Sequence, residues 1–341
     1  MPAKQAVYLG VDIGGTKVAA GLVDARGKIL CKTRVPMSSR GSEADGLAAV
    51  EQAIEAAVQI KPRWRKSVCA IGISSPGPLD PRAGVIINPP NLPCWHNLHI
   101  TKKLKPWRKL PIHLDNDANA AALAEAIWGA GQGYDSVFYA TLGTGIGTGV
   151  IFGGRIYHGR TGSAAEGGHL SIDYHGAQCA CGKMGCIEAM AAGPAVAKRA
   201  REKLLDGSAA GEKLLSLAGG NAENVTAEMV GAAWHAGDAL AASILQETAT
   251  LLAIWLGNII DLLEPDVIIF GGGMGALMSE WFDYIRKRLP EWSINSRCAE
   301  IPLVRAHYGE DSGIAGAAAL CLSAKNSPVR THALSRGKKR R

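Results

Sequence analysis

No apolar run in the 341-residue sequence reaches the length of a bilayer-spanning helix; the longest, around residues 251–260, continues into Asp261. The opening residues lead directly into a strand and a glycine loop, without the charged, apolar and cleavage regions of a secretory signal in succession. These two absences argue against membrane and secreted classes and give a cytoplasmic expectation. The body of the chain also lacks a charge imbalance. The net charge is +7, but Lys325, Arg330, Arg336, Lys338, Lys339, Arg340 and Arg341 supply seven positive charges with no acid among them. Setting them aside leaves thirty basic against thirty acidic residues, so the basicity belongs to a tail, residues 325–341, expected to be a solvated, disordered end.

What is present is globular. Nearly half the residues are apolar and a fifth are charged, and the length suffices for two domains, each with its own core. The most distinctive stretch is residues 166–188, EGGHLSIDYHGAQCACGKMGCIE, where Cys179, Cys181 and Cys186 fall close together. Thiolate sulfur and imidazole nitrogen suit zinc, and four such ligands close a tetrahedral, structural site. A disulfide would leave one cysteine over, and an iron–sulfur cluster would ask for a fourth nearby. His169 and His175 compete as the nitrogen ligand. Cys31, Cys69, Cys94, Cys298 and Cys321 are scattered singly and read as ordinary reduced residues.

Three glycine loops each follow a buried, strand-like run. Residues 7–12 lead into Gly14-Gly15-Thr16-Lys17 and a second strand over 18–23; residues 137–141 lead into Gly143-Thr144-Gly145-Ile146-Gly147 and a strand over 150–152; residues 267–270 run into Gly271-Gly272-Gly273. The first loop has neither the dinucleotide fingerprint nor the spacing of a P-loop, although Lys17 stands beside Thr16. The first two segments share the order strand, glycine loop, strand, turn, strand. That order reads as an internal repeat, with two related α/β halves and a nucleotide cradled between them. Residues 43–60 carry helical periodicity, residues 80–111 read as proline-rich loop, and a strand over 112–114 delivers Asp115-Asn116-Asp117 to the start of an alanine-rich helix. There Asp117 fits a helix cap as readily as a catalytic role.

VDIGGTK, DNDANAAALAE, TLGTGIGTGV, EGGHL, CACGKMGCIEA and VIIFGGGMG occur in the order found in the ROK family of repressors, open reading frames and kinases. The chain resembles a bacterial ATP-dependent glucokinase of that family over about residues 6–322, and Asp115 is a departure where the family more often carries glutamate. The resemblance implies an actin-like or hexokinase-like ATPase fold: a small lobe of residues 1–118 with 307–324, a large lobe of 119–306 with a zinc loop, and the basic tail. It implies that Asp12, Gly14, Gly15, Thr16 and Lys17 form a first phosphate loop, with Asp12 holding Mg2+ through water. Gly143, Thr144, Gly145 and Gly147 would form a second, with Gly271, Gly272 and Gly273 against the adenosine. A sugar would meet Gly77, Asn91, Asn116, Asp117, Glu166, His169 and Glu188, with Asp117 as catalytic base. Zn2+ would take His169, Cys179, Cys181 and Cys186, and His169 would serve sugar and metal through different ring nitrogens. ATP would phosphorylate a hexose, with glucose expected ahead of N-acetylmannosamine, N-acetylglucosamine, fructose or allose; polyphosphate is the other donor considered. A homodimer is expected. With no helix-turn-helix before the first strand, a sugar-sensing, nucleic-acid-binding regulator is the less favoured reading.

Overall fold

A computed structural model describes residues 6–107, 109–206 and 211–323. The chain opens with β1 (Val7–Ile13), and β2 (Lys17–Asp24) and β3 (Ile29–Pro36) fold back antiparallel. Helix α1 (Glu43–Ile60) starts in a reciprocal cap: Ser42 Oγ accepts the Asp45 N–H at 3.2 Å while Asp45 Oδ2 accepts the Ser42 N–H at 2.8 Å. It buries Val50, Ile54 and Val58, one face of the expected periodicity. β4 (Val68–Ser75) then runs parallel to β1. The proline-rich stretch holds a small hairpin, β5 (Leu79–Asp80) with β6 (Val85–Ile86), and one turn of helix, α2 (Ile100–Lys103). β7 (Ile112–Asn116) completes a sheet ordered β3-β2-β1-β4-β7.

Helix α3 (Asp117–Trp128) carries the chain into a second sheet. β8 (Ser136–Leu142), β9 (Ile146–Phe152) and β10 (Arg155–Ile156) repeat the antiparallel meander. A helical block follows: α4 (Ile187–Ala191), α5 (Gly193–Leu205), α6 (Glu212–Leu217), α7 (Ala227–His235) and α8 (Ala239–Leu263). β11 (Val267–Gly271), α9 (Gly272–Met278), α10 (Phe282–Arg288), β12 (Leu303–Arg305) and α11 (Ser312–Ser323) end the fold. The second sheet is ordered β10-β9-β8-β11-β12, the same sequence of neighbours as the first. The repeat read from the glycine loops is therefore a repeat of topology. The tail, residues 325–341, lies outside the described residues.

By length and apolar composition α8 could cross a bilayer, which corrects the expectation that no segment could. Its charged residues and Gln246 and Asn258 lie on its outer side, its one fully buried hydroxyl, Thr248, donates to the Ile244 carbonyl, and Leu252, Trp255, Leu256 and Ile259 are buried in the large core of the second half. Such a helix is what a globular domain needs at its centre.

Where the halves meet, α3 and α11 lie side by side and bury Ala120, Ala124, Ala315 and Ala319 with Tyr139 and Ile269. Small residues bring backbones close. A Cβ on Gly72 would come within 1.7 Å of the Ala317 carbonyl oxygen, and one on Gly10 within 2.1 Å of that of Ile314. Glycine at both sheet positions lets α11 lie flat on β1 and β4.

Candidate active site

The parallel strands set the site. Register places Asp12 of β1 opposite Ser74 of β4, Ser74 opposite Asp115 of β7, and Ser75 opposite Asn116. These polar residues therefore stand in a row at the carboxyl ends of three neighbouring strands, where α/β sheets take their ligands. Ser74 Oγ donates to Asp12 Oδ1 at 2.9 Å. Burial pushes the Asp12 carboxyl upward, against the lowering effects of that bond and of Lys17. A Cβ on Gly15 would meet the Asn91 carbonyl oxygen at 2.8 Å, so Asn91 lies against the first glycine loop. Gly14 N–H donates to the Lys17 carbonyl at 2.9 Å, closing the turn, and Thr16 and Lys17 are exposed.

Asn116, and not Asp117, caps α3: its Oδ1 accepts the Ala118 N–H at 2.9 Å and the Asn119 N–H at 3.3 Å. Asp117 is the first helical residue, relieved of the capping role that its position suggests. Gly77 stands beside Asn116, with a Cβ there reaching the Asn116 amide nitrogen at 3.7 Å. Asp117 is open to solvent, yet enough protein surrounds its carboxyl to desolvate it. Desolvation there, then the Asp12 charge and finally that of Glu166, push its carboxyl up to about 6, with its own backbone contacts pulling the other way. Acids from three elements thus lie near enough for their charges to act on one carboxyl. Such a set suits a divalent cation held by oxygen ligands and water.

Across the cleft, a short turn (Gly167–His169) carries Glu166 and His169. Two buried side chains hold it against β9 and α8. Thr148 Oγ1 donates to the Ala165 carbonyl and accepts the Gly167 N–H at 2.7 Å; Trp255 Nε1 donates to the Gly167 carbonyl at 3.0 Å. Ala165 itself takes φ 66°, a left-handed conformation rare for alanine.

His169, Cys179, Cys181 and Cys186 bring one ligand atom each within 4.8 Å of one another. His169 Nδ1 is 3.6 Å from Cys179 Sγ, and Cys181 Sγ is 3.7 Å from Cys186 Sγ. A tetrahedron with zinc–sulfur of about 2.3 Å and zinc–nitrogen of about 2.0–2.1 Å has edges of about 3.6 and 3.8 Å. The donor set fits zinc in kind and spacing. The competing His175 is exposed, stacks on Tyr174 with ring centroids 3.8 Å apart and is not in the cluster. With Nδ1 facing the thiols, Nε2 of His169 is the nitrogen left for another partner. Glu188, on α4, joins this cluster to the second glycine loop. Its Oε1 is 3.8 Å from His169 Nδ1, and its Oε2 accepts the Ile146 N–H at 2.9 Å. Gly145 must be glycine for this, since a Cβ there would stand 2.6 Å from that oxygen.

Beyond this loop opens a cavity of about 790 Å³. Gly143 and Thr144 stand at one side, Gly273 and Met274 at another, and Pro194 and Leu277 are among the apolar residues closing it. Gly147 packs on Ala118 and Thr141; Gly271 packs on Tyr139, and Gly272 (φ +79°) lies against the Leu142 carbonyl, so Gly273 alone of its triplet lines the cavity. Sequence reasoning missed the wall given by α5, α7 and the segment before α7, where no motif marks the residues. It also missed Ser74, whose only signal was its place at a strand end level with Asp12, and Thr148.

A sequence profile of the ROK family matches residues 8–324. The chain belongs to the ROK family. Among its ROK relatives, a glucokinase of Thermotoga maritima is 34% identical over 313 residues, spanning 92% of this chain and 96% of that enzyme. An Escherichia coli N-acetylmannosamine kinase is 33% identical over 322 residues, spanning 93% and 99%. Among solved structures, a ROK glucokinase of Streptomyces griseus in complex with glucose and AMPPNP superimposes with a TM-score of 0.78 at 34% identity, covering 92% of this chain and 99% of that one. The hexokinase-like ATPase architecture expected of a ROK protein is thus the architecture found.

Proposed function

We propose that the protein is an ATP-dependent hexose kinase that transfers the γ-phosphoryl group to the 6-hydroxyl of glucose. The observation that carries this reading is Asp117, a carboxylate at the start of α3 just past the row of strand-end residues, near enough to the charges of Asp12 and Glu166 for them to help push its carboxyl up to about 6. Phosphoryl transfer asks the protein mainly to position groups and to stabilise charge. Asp117 accepts the proton of the attacking hydroxyl. Asn116, Glu166, His169 Nε2, Glu188, Gly77 and Asn91 hold the sugar, whose hydroxyls each donate and accept and are fixed in direction by carboxylates and amides. The first two glycine loops receive the phosphates, and the apolar cavity receives the base of ATP. Lys17 and Asp12 lie at the phosphate end in this reading, and Asp12 would help hold Mg2+, which would supply charge neutralisation to the polyphosphate. His169, Cys179, Cys181 and Cys186 would hold Zn2+, which would fix the imidazole and the loop that leads into α4 and Glu188. The lobes in this reading are residues 1–118 with 307–324, and 119–306, and the working unit is a homodimer.

The N-acetylmannosamine kinase among the relatives favours one second reading, an N-acetylhexosamine as acceptor. A panel of hexoses and N-acetylhexosamines, assayed for ADP release with ATP and separately with polyphosphate, tests both. Glucose should be turned over with the highest kcat/KM. Turnover confined to N-acetylated sugars would select the second reading, and no turnover of any sugar would sink the kinase assignment.

A further inference from the structure

His158 lies outside every motif that marks the site. It follows β10, at the start of the loop that leads to Glu166. Its Nε2 is 2.6 Å from Asp115 Oδ2, and the carboxylate is nearly buried, with 5% of its side chain exposed against 26% for the imidazole. A carboxylate oxygen as acceptor makes Nε2 the donor. The other oxygen of Asp115 accepts the Asn116 N–H at 2.8 Å and the Asn119 amide at 3.1 Å. Asp115 thus clamps the first turn of α3 from beneath, next to Asn116, which caps it, and Asp117. On its other side His158 holds its own loop. Its carbonyl accepts the Gly162 N–H at 3.1 Å and the Ala164 N–H at 3.3 Å, and the following residue is the left-handed Ala165 that aims Glu166.

His158 therefore adds a polar tie between the two arms of the proposed sugar site, Asn116–Asp117 at the start of α3 and Glu166–His169 beyond β10, beside the packing of α3 on β9. A crevice of about 320 Å³, lined by polar and apolar residues alike, among them Arg82, Thr101, His113, Asp115 and His158, opens behind the pair and leaves this side of the joint loosely packed, while on the inner side α3 packs on β9, Gly147 against Ala118. We propose that His158 is a positioning residue for phosphoryl transfer, fixing across the cleft the distance between the base Asp117 and the sugar ligand Glu166 through its bond to Asp115. Losing it leaves a buried carboxylate oxygen without its donor and frees both arms to shift. The inference rests on the hexose kinase reading.

The test compares His158→Ala, His158→Gln and Asp115→Asn with the wild-type enzyme, measuring kcat and KM for hexose and for ATP, thermal midpoint and zinc content. A misplacement of reacting groups on the order of 1 Å costs roughly 10²-fold. His158→Ala should lose about that much in kcat/KM for the hexose, with KM for ATP and zinc content little changed. His158→Gln keeps a donor for Oδ2 and should recover most of the loss. Asp115→Asn should fall between the two, because an imidazole can change tautomer to accept from the new amide. Hexose kinetics of His158→Ala equal to wild type would overturn the proposal. So would parallel losses toward hexose and ATP that track a falling thermal midpoint and that glutamine does not rescue, since those mark a merely structural residue. Inactivity of the wild-type enzyme on every hexose would strike the kinase reading instead, before any variant is compared.

Discussion

Replacing Asp117 by asparagine removes a negative charge that the fold holds at a cost. The carboxyl titrates at about 6 in the folded protein against an ordinary 3.8, pushed there by desolvation and by the charges of Asp12 and Glu166. That difference corresponds to roughly 3 kcal/mol between the two protonation states. Cleft water reaches the side chain, so screening brings the expected gain on substitution down to about 1 kcal/mol. The sign follows from proton uptake. Between about pH 4 and 6 the folded state binds more protons at Asp117 than the unfolded chain does, so this group makes stability fall as pH rises through that window. Above it the full penalty is present. Asp117→Asn should therefore raise the thermal midpoint at pH 7, by roughly 2 °C, and leave it unchanged below pH 4. Asn116 supplies the cap, so the helix start is untouched. Turnover should move the other way, falling by about 10²–10⁴, the usual contribution of a general acid–base group. In the wild-type enzyme kcat/KM should decline as pH drops through about 6, because the protonated carboxyl no longer accepts the hydroxyl proton, and that limb should vanish in the variant. Coupled ADP assays across pH, beside thermal melts, read both effects. Near-normal turnover in Asp117→Asn would falsify the assignment of the base; a lowered midpoint at pH 7 would refute the electrostatic account even if turnover fell.

Elemental analysis should find about one zinc per chain, the count of a four-ligand structural site. Cys181→Ser should lose the metal and lower the thermal midpoint, and metal-free, fully stable enzyme would remove zinc from the account. Thr148→Val keeps the size of the side chain but strands the Gly167 N–H and the Ala165 carbonyl. It should cost about 1–3 kcal/mol in stability and raise KM for the hexose more than KM for ATP, and an unchanged KM for the hexose would show that the Glu166 turn holds itself. Truncation after Ala324 removes only residues beyond the ROK match, which ends at 324. Kinase activity and melting should stay near wild type, and a large loss of turnover would make the tail part of the working enzyme.

Much of this site was legible before folding, because glycine loops after buried runs mark the ends of strands, and the strand ends are where a sheet collects its ligands. The cysteine cluster and the place of Asp117 at a helix start come from such local patterns, while the roles given to Asp12 and Asp117 came from the resemblance to the ROK family. His158 could not be read in this way. Its meaning arises from a register that sets β7 at the edge of the first sheet and from a loop 43 residues further on, a relation that no local spacing encodes. The capping roles of Asn116 and Asp117 were transposed for a smaller reason: two adjacent polar residues before an alanine run are equally good caps on paper, and only the backbone angles at Asn116 decide between them. Helices α6 and α7 and the apolar cavity wall escaped notice because short amphipathic segments without a motif carry little signal of what they enclose.

The two five-stranded sheets repeat one another strand for strand, yet the repeat is not symmetric in charge. In β1 the penultimate residue is Asp12, level with Ser74 across the parallel neighbour; in β8 the penultimate residue is Thr141, level with Gly271. Equivalent places in the two halves thus carry an anion in one and a neutral hydroxyl in the other. A scaffold with this near twofold relation would, on shape alone, accept an elongated ligand in either of two directions. The unequal pair breaks that tie. An anionic chain lying along the interface is repelled from the acidic half unless a cation accompanies it, and it is tolerated by the neutral half on its own. The difference between Asp12 and Thr141 thereby gives the repeat a built-in electrical direction, and exchanging the two side chains, Asp12→Thr with Thr141→Asp, would weaken that asymmetry without altering the frame that carries it.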